Sequence, residues 1–312
     1  MVDLRVKIGA LTLKNPVMPA SGTFSEGLAR VFSFDHLGAI VTKTITEELR
    51  GGNPTPRVAE VGQGMLNSIG IPSKGIRYFI DYTIPEYERF SVPLVVSVSA
   101  PTGELFAEIV RQLDVPGVAA IEANISCPNL EEDGKAFAIR AKSTAAVIGQ
   151  LRKATTLPLW AKLTPNTSDV AAVARAAEES GADALVVANT VLAMSIDTET
   201  FLPRLGSIMG GYSGPAIKPI VLRMVYQCAK AAGIPIIGCG GITSAEDAVE
   251  YMLAGAAAVQ VGTATFVKPN AMLDIVGGLL SFCERKGIAC VSALTGAIKD
   301  RGMHVDKLEA LP

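Results

Sequence analysis

Short β-branched apolar runs recur along the chain, each closed by a polar or glycine-rich turn. They occupy 15–21 (NPVMPAS), 38–44 (GAIVTKT), 93–99 (PLVVSVS) and 119–126 (AAIEANIS), then 158–164 (PLWAKLT), 184–190 (ALVVANT), 235–241 (PIIGCGG) and 258–264 (AVQVGTA). Continuous rather than alternating apolar runs belong to a sheet buried on both faces. Between them lie helical patterns. Residues 167–183 begin with a Thr/Ser cap, carry Ala and Val at helical spacing and stop at Gly181; residues 243–256 repeat that design and end at Gly255. Eight strand candidates, most followed by a helix, predict an α/β fold of the (β/α)8 TIM-barrel type. An open doubly wound sheet fits less well, because no GxGxxG follows the first strand. One domain over 1–312 is expected.

Two connections exceed what barrel closure needs. Residues 45–92, which include a stretch dense in Gly, Pro and Asn, and residues 191–217, which include SIMGGYSGPAI, are expected to be extended loops over the C-terminal mouth, where barrel sites are built.

The strand ends gather the polar chemistry. Ala20 and Ser21 end the first, Lys43 and Thr44 the second, Asn124, Ser126 and Cys127 the fourth, and Lys162 the fifth. Asn189 and Thr190 end the sixth, Gly240 and Gly241 the seventh, Gly262 and Thr263 the eighth. Lysines and carboxamides on one rim suit a polar, anionic ligand with many hydrogen-bonding edges. Glycine amides, a Thr hydroxyl and a helix N-terminus after strands seven and eight suit a phosphate. Cys127 lies after its strand beside Pro128 and is expected to face the mouth; Cys228, Cys239, Cys283 and Cys290 read as packing.

Composition removes several classes. Twenty-eight basic against 30 acidic residues give a net charge of −2, which offers no field for nucleic acid or an acidic membrane. Five cysteines without a CxxC pair and two histidines predict no metal site and fit a reducing, cytoplasmic compartment. No apolar window is long enough to span a bilayer.

Taken in order, NPVMPASGTF, GAIVTKT, GMLNSIGI, NISCPN, AKLTPN, ANT, GGYSGPAIKP, IPIIGCGGI and AVQVGTA resemble the dihydroorotate dehydrogenases over nearly the whole chain. The resemblance implies FMN-dependent oxidation of dihydroorotate to orotate in pyrimidine synthesis. It implies that Ala20, Ser21, Lys43, Thr44, Ser97, Asn124, Lys162, Ala188, Gly214, Gly240, Gly241, Gly262 and Thr263 hold FMN. Lys43, Asn67, Ser68, Ile69, Gly70, Ile71, Asn124, Asn129, Asn189 and Thr190 would hold the substrate, and Cys127 would be the catalytic base. A thiol with an ordinary pKa of about 8.5 needs only a modest shift to serve near neutrality.

Cysteine in the base position, without a membrane-binding extension, resembles the family's class 1, and NPVMPASGTF with SGPAIKPIVLRMVYQ looks most like its NAD-linked branch. That branch implies a homodimer joined by a subunit carrying FAD and a [2Fe–2S] cluster, a heterotetramer. The fumarate-using branch and a related flavin pyrimidine reductase stay open, as does a flavin-free barrel lyase or isomerase acting on a phosphorylated substrate. Four departures bear on fine flavin contacts: Ser97 where the family usually has Asn, GCGG in place of GMGG (a packing change), VLAM after Thr190, and Tyr212 in GGYSG.

Overall fold

The computed structural model describes residues 2–126 and 136–299, and within them every predicted apolar run contains a strand of one parallel sheet. The strands are β1 (Val17–Pro19), β2 (Ile40–Val41), β3 (Leu94–Val98) and β4 (Ala120–Asn124). They continue as β5 (Leu159–Lys162), β6 (Ala184–Val187), β7 (Ile236–Cys239) and β8 (Ala256–Val261). Their order is β1-β8-β7-β6-β5-β4-β3-β2, so each strand neighbours its predecessor and successor around a ring.

The ring closes between β1 and β2 through Gly38, whose N–H donates to the Val17 carbonyl at 2.8 Å. Buried Asn15 organises this seam. Its Nδ2 donates to the His36 carbonyl at 2.9 Å and its Oδ1 accepts from the Val17 N–H at 3.0 Å. A Cβ on Gly38 would stand 2.1 Å from the Asn15 carbonyl oxygen, so the seam admits no side chain there. The barrel expected from the apolar pattern is the fold observed.

Helices coat the outside. Val170–Glu179 is capped by Asp169, which accepts from the Ala172 N–H at 2.9 Å, and not by the expected Thr/Ser pair. Thr167 instead donates to the Ile139 carbonyl at 2.9 Å and accepts from the Asp169 N–H at 3.3 Å, ahead of the helix. Ala245–Leu253 starts as expected at Ser244, in a capping box completed by Asp247. From that helix Tyr251 packs fully buried against β7; a Cβ on Gly238 would lie 2.3 Å from its ring. Gly238 therefore faces the helix layer, and alternation turns Cys239 into the barrel.

The two long connections are not merely loops. Val191–Ala193, Gly210–Ser213, Gly64–Asn67 and Val58–Val61 pair in that order as one antiparallel sheet, with Asn67 opposite Gly211. Strand pairing satisfies backbone groups that two independent loops would leave to water. Thr263, after β8, donates to Ser213 Oγ at 2.8 Å and ties this sheet to the C-terminal end of the barrel.

Candidate active site

Two side-chain contacts cross the barrel between strands that lie opposite in the ring. Gln260 on β8 donates through Nε2 to Glu122 Oε2 on β4 at 2.6 Å. Lys162 on β5 donates to Ser21 Oγ, just past β1, at 3.1 Å, and to Gln260 Oε1 at 3.2 Å. Lys162 Nζ also lies 3.6 Å from Glu122 Oε1. All four side chains are buried. Alternation places them on the inner face, immediately beneath the mouth.

A second polar group runs along the β2–β6 rim. Thr44 shares a hydrogen bond with Ser97 at 2.9 Å and accepts from Asn124 Nδ2 at 3.2 Å. Ser126 donates to Asn124 Oδ1 at 2.6 Å, and Asn189 Nδ2 donates to Ser126 Oγ at 2.7 Å. Asn189 Oδ1 in turn accepts from the Thr190 N–H at 2.8 Å. Carboxamides held at both ends cannot flip freely, so the rim presents a fixed order of donors and acceptors. Ser97 is fully buried and its hydroxyl is engaged by Thr44.

The 67–71 segment is shaped by its backbone. Asn67 donates to the Gly211 carbonyl at 3.1 Å, Ser68 accepts from Asn53 Nδ2 at 2.8 Å, and the Ile69 carbonyl accepts from the Asn53 N–H at 3.1 Å. Gly70 has φ +77° and Ile71 has φ +49°. Positive φ at a β-branched residue is costly and concentrates where a loop is held in a working shape.

On the β7–β8 side, Gly214, Gly240 and Gly241 all have positive φ; a Cβ on Gly241 would meet Lys218 N at 2.8 Å. The helix start after β7 is less open to an anion than its sequence suggests. Asp247 Oδ2 accepts from Thr243 N, Thr243 Oγ1 and Ser244 N at 2.8, 2.8 and 3.0 Å, so the chain's own carboxylate occupies those donors. Gly262 and Thr263 lie next to Ala20, with the Gly262 Cβ position 3.4 Å from the Ala20 methyl. Ala188 is buried between β6 and β7, its N–H donating to the Cys239 carbonyl at 2.9 Å.

Lys43 is half-buried on the wall of a cavity of about 200 Å³ that also includes Thr42, Thr44, Ser73 and Tyr78. It makes no hydrogen bond or ion pair among the described residues, and burial pushes its ammonium below the ordinary lysine pKa. Burial raises the Cys239 thiol, an effect opposed by the nearby Lys162 charge, and pushes Cys228 up to about 12. Both are packing cysteines, as is buried Cys283. Cys290 departs from that reading: it is partly exposed and 3.0 Å from Ser292 Oγ. Cys127 and Asn129 lie outside the described residues.

Glu122 and Gln260 were not singled out by the sequence pattern, although each leaves a signal. A carboxylate inside AAIEANIS and a carboxamide inside AVQVGTA interrupt strands that are otherwise apolar at those positions. In a barrel interior such groups must find each other or another polar partner.

Fold and site together define a (β/α)8 protein whose mouth carries a polar rim above a buried ion pair. A family model described as dihydroorotate dehydrogenase matches residues 3–282, and the chain belongs to the dihydroorotate dehydrogenase family. It is 46% identical over 300 residues to the dihydroorotate dehydrogenase B (NAD(+)) catalytic subunit of Pelobacter propionicus, covering 95% of this chain and 99% of that one. The subunit of the same name from Bacteroides fragilis is 45% identical over 304 residues, 96% of this chain and all of the relative (100%). That from Desulforamulus reducens is 46% identical over 299 residues, 95% and 98% of the two chains. No helix among the described residues is long and apolar enough to cross a membrane.

Proposed function

We propose that this chain is a catalytic subunit that oxidises dihydroorotate to orotate for pyrimidine synthesis, with FMN as its cofactor and NAD as the final acceptor. The observation that carries this reading is the buried Lys162, held by Ser21, Gln260 and Glu122 below the Thr44–Asn124–Asn189 rim. A flavin's pyrimidine edge offers carbonyl acceptors and an N–H donor, and an ammonium, a hydroxyl and a carboxamide match that set. The Gly240–Gly241 turn with Thr263 supplies amide and hydroxyl donors for the phosphate.

Held by Ser21, Lys162 and the Gly240–Gly241 turn with Thr263, FMN would supply the hydride acceptor for the oxidation of dihydroorotate. The chain's own residues do the rest. Lys162 places a positive charge where negative charge must appear on reduction. Lys43, with no ion-pair partner among the described residues, is available to the substrate carboxylate. Asn67, Asn124 and Asn189, with Thr190, offer both donors and acceptors for the pyrimidine edge, and the 67–71 segment would close against it. Asn129 joins that group by sequence position. Cys127, by its place after β4, removes the C5 proton and passes it to solvent.

The name shared by these relatives, dihydroorotate dehydrogenase B (NAD(+)) catalytic subunit, supports assembly with a second, electron-transfer subunit; the FAD and [2Fe–2S] cluster proposed for that subunit rest on the sequence resemblance alone. A homodimeric core, a single domain over 1–312 and a cytoplasmic location complete the reading. Purification with the candidate partner tests it. A yellow complex that reduces NAD with dihydroorotate is expected; a protein that takes up no FMN, or an NAD rate independent of the partner, contradicts it.

A further inference from the structure

Glu122 is the only fully buried carboxylate among the described residues, and it stands on a strand otherwise filled with apolar and amide side chains. Two groups hold it. Gln260, from the opposite side of the ring, occupies Oε2 at 2.6 Å, while Oε1 accepts no hydrogen bond and faces Lys162 Nζ at 3.6 Å. The Gln260 carbonyl meanwhile accepts from the same ammonium at 3.2 Å. One carboxamide therefore aligns both members of the ion pair. A buried ion pair is a poor device for stability, since the two charges must first leave water. What it provides is a lysine fixed in place whose charge is balanced from below.

We propose that Glu122 is a positioning residue for the cofactor site: it sets the place and net charge of Lys162, and thereby the reduction potential of the bound flavin. This rests on the FMN reading above. A flavin gains negative charge on reduction. The Glu122 carboxyl group, 3.6 Å from Lys162 Nζ, offsets part of the nearer cation's pull on the reduced form. Replacing it with a neutral amide takes that offset away, so the reduced form is favoured more.

The test uses the FMN-loaded protein. In Glu122→Gln the midpoint potential should move up. Sulfite, which adds to flavins and leaves negative charge on the ring, should bind about tenfold tighter, the scale of one charge acting over several ångströms at an effective dielectric near 20. Glu122→Asp, which keeps the charge, should return both values toward those of the parent. An unchanged or lowered potential in a folded, FMN-loaded Glu122→Gln protein overturns the proposal, because a packing role would leave the potential where it was.

If Glu122→Gln does not retain FMN, the pair is read in the apoprotein by urea unfolding. The signal is Trp160, the chain's single tryptophan, which is fully buried on β5 in register with Glu122. The double variant Glu122→Gln/Lys162→Met should unfold at higher urea than Glu122→Gln alone, since it removes the buried cation whose ion-pair partner Glu122 has been neutralised; additive losses would overturn the pairing. A parent protein that itself binds no FMN would count against the function proposed above, and the apoprotein cycle would still decide the pairing.

Discussion

Lys162 and Ser21 sit on opposite sides of the barrel ring, yet Nζ and Oγ lie 3.1 Å apart. The contact spans the interior where the strands end, so the floor of the mouth is polar although the barrel below it is packed. Ser21→Ala removes one of the groups that fix the lysine. It should weaken FMN binding by about tenfold, the scale of one hydrogen bond to a charged group, with the melting temperature of the apoprotein little changed. Flavin fluorescence titration of the apoprotein checks this.

Lys43 should show the opposing demands of stability and binding at a single position. Burial disfavours its charged form, and among the described residues it has no partner. Lys43→Met is expected to raise the melting temperature of the ligand-free protein while weakening orotate binding by about 10–100-fold, as loss of a charge-assisted hydrogen bond does. Thermal melts with and without orotate read both effects in one experiment.

The β1–β2 seam leaves no room for a methyl group. Gly38→Ala places a Cβ against the Asn15 carbonyl and should cost about 3 kcal/mol or more, at the upper end of overpacking effects. Urea denaturation should show a lower midpoint with an unchanged slope. A loss below about 1 kcal/mol would mean the seam relaxes, contrary to the closure described here.

Asp247 supplies a pH dependence. Burial pushes its carboxyl up, but bonds from Lys218 and Thr243 outweigh that and hold it below the usual carboxylate range. A folded pKa below the unfolded value of about 3.9 means the stabilisation is complete above that value and is lost as pH falls through the folded pKa. Asp247→Asn should cost about 1 kcal/mol near neutrality, through the broken capping box. It should also flatten the further loss of stability below about pH 4. Denaturation midpoints across that range measure it.

The barrel was legible because a strand buried on both faces has to be continuously apolar, and runs such as ALVVANT have few other uses. The convergence of Ser21, Asn124, Lys162 and Asn189 followed from their places at the C-terminal ends of barrel strands. Other features depended on partners far away in sequence. Asn67 pairs with Gly211 across 144 residues, so the antiparallel sheet is invisible to any local reading of two Gly- and Pro-rich stretches. Glu122 and Gln260 are 138 residues apart and look like stray polar residues until the ring brings them face to face. Asp169 caps the helix, while Thr167 donates to the distant Ile139 carbonyl and accepts from the Asp169 N–H.

The central claim is that the mouth above Lys162 oxidises dihydroorotate, with Cys127 as the base. Mixing the FMN-loaded protein with dihydroorotate in the absence of oxygen tests it most directly, by the loss of the flavin's visible absorbance. The account predicts rapid bleaching by the parent protein and bleaching slowed about 10²–10⁴-fold in Cys127→Ala, with FMN still bound. A parent flavin that stays oxidised would contradict the function, and equal rates in the two proteins would contradict the assignment of the base.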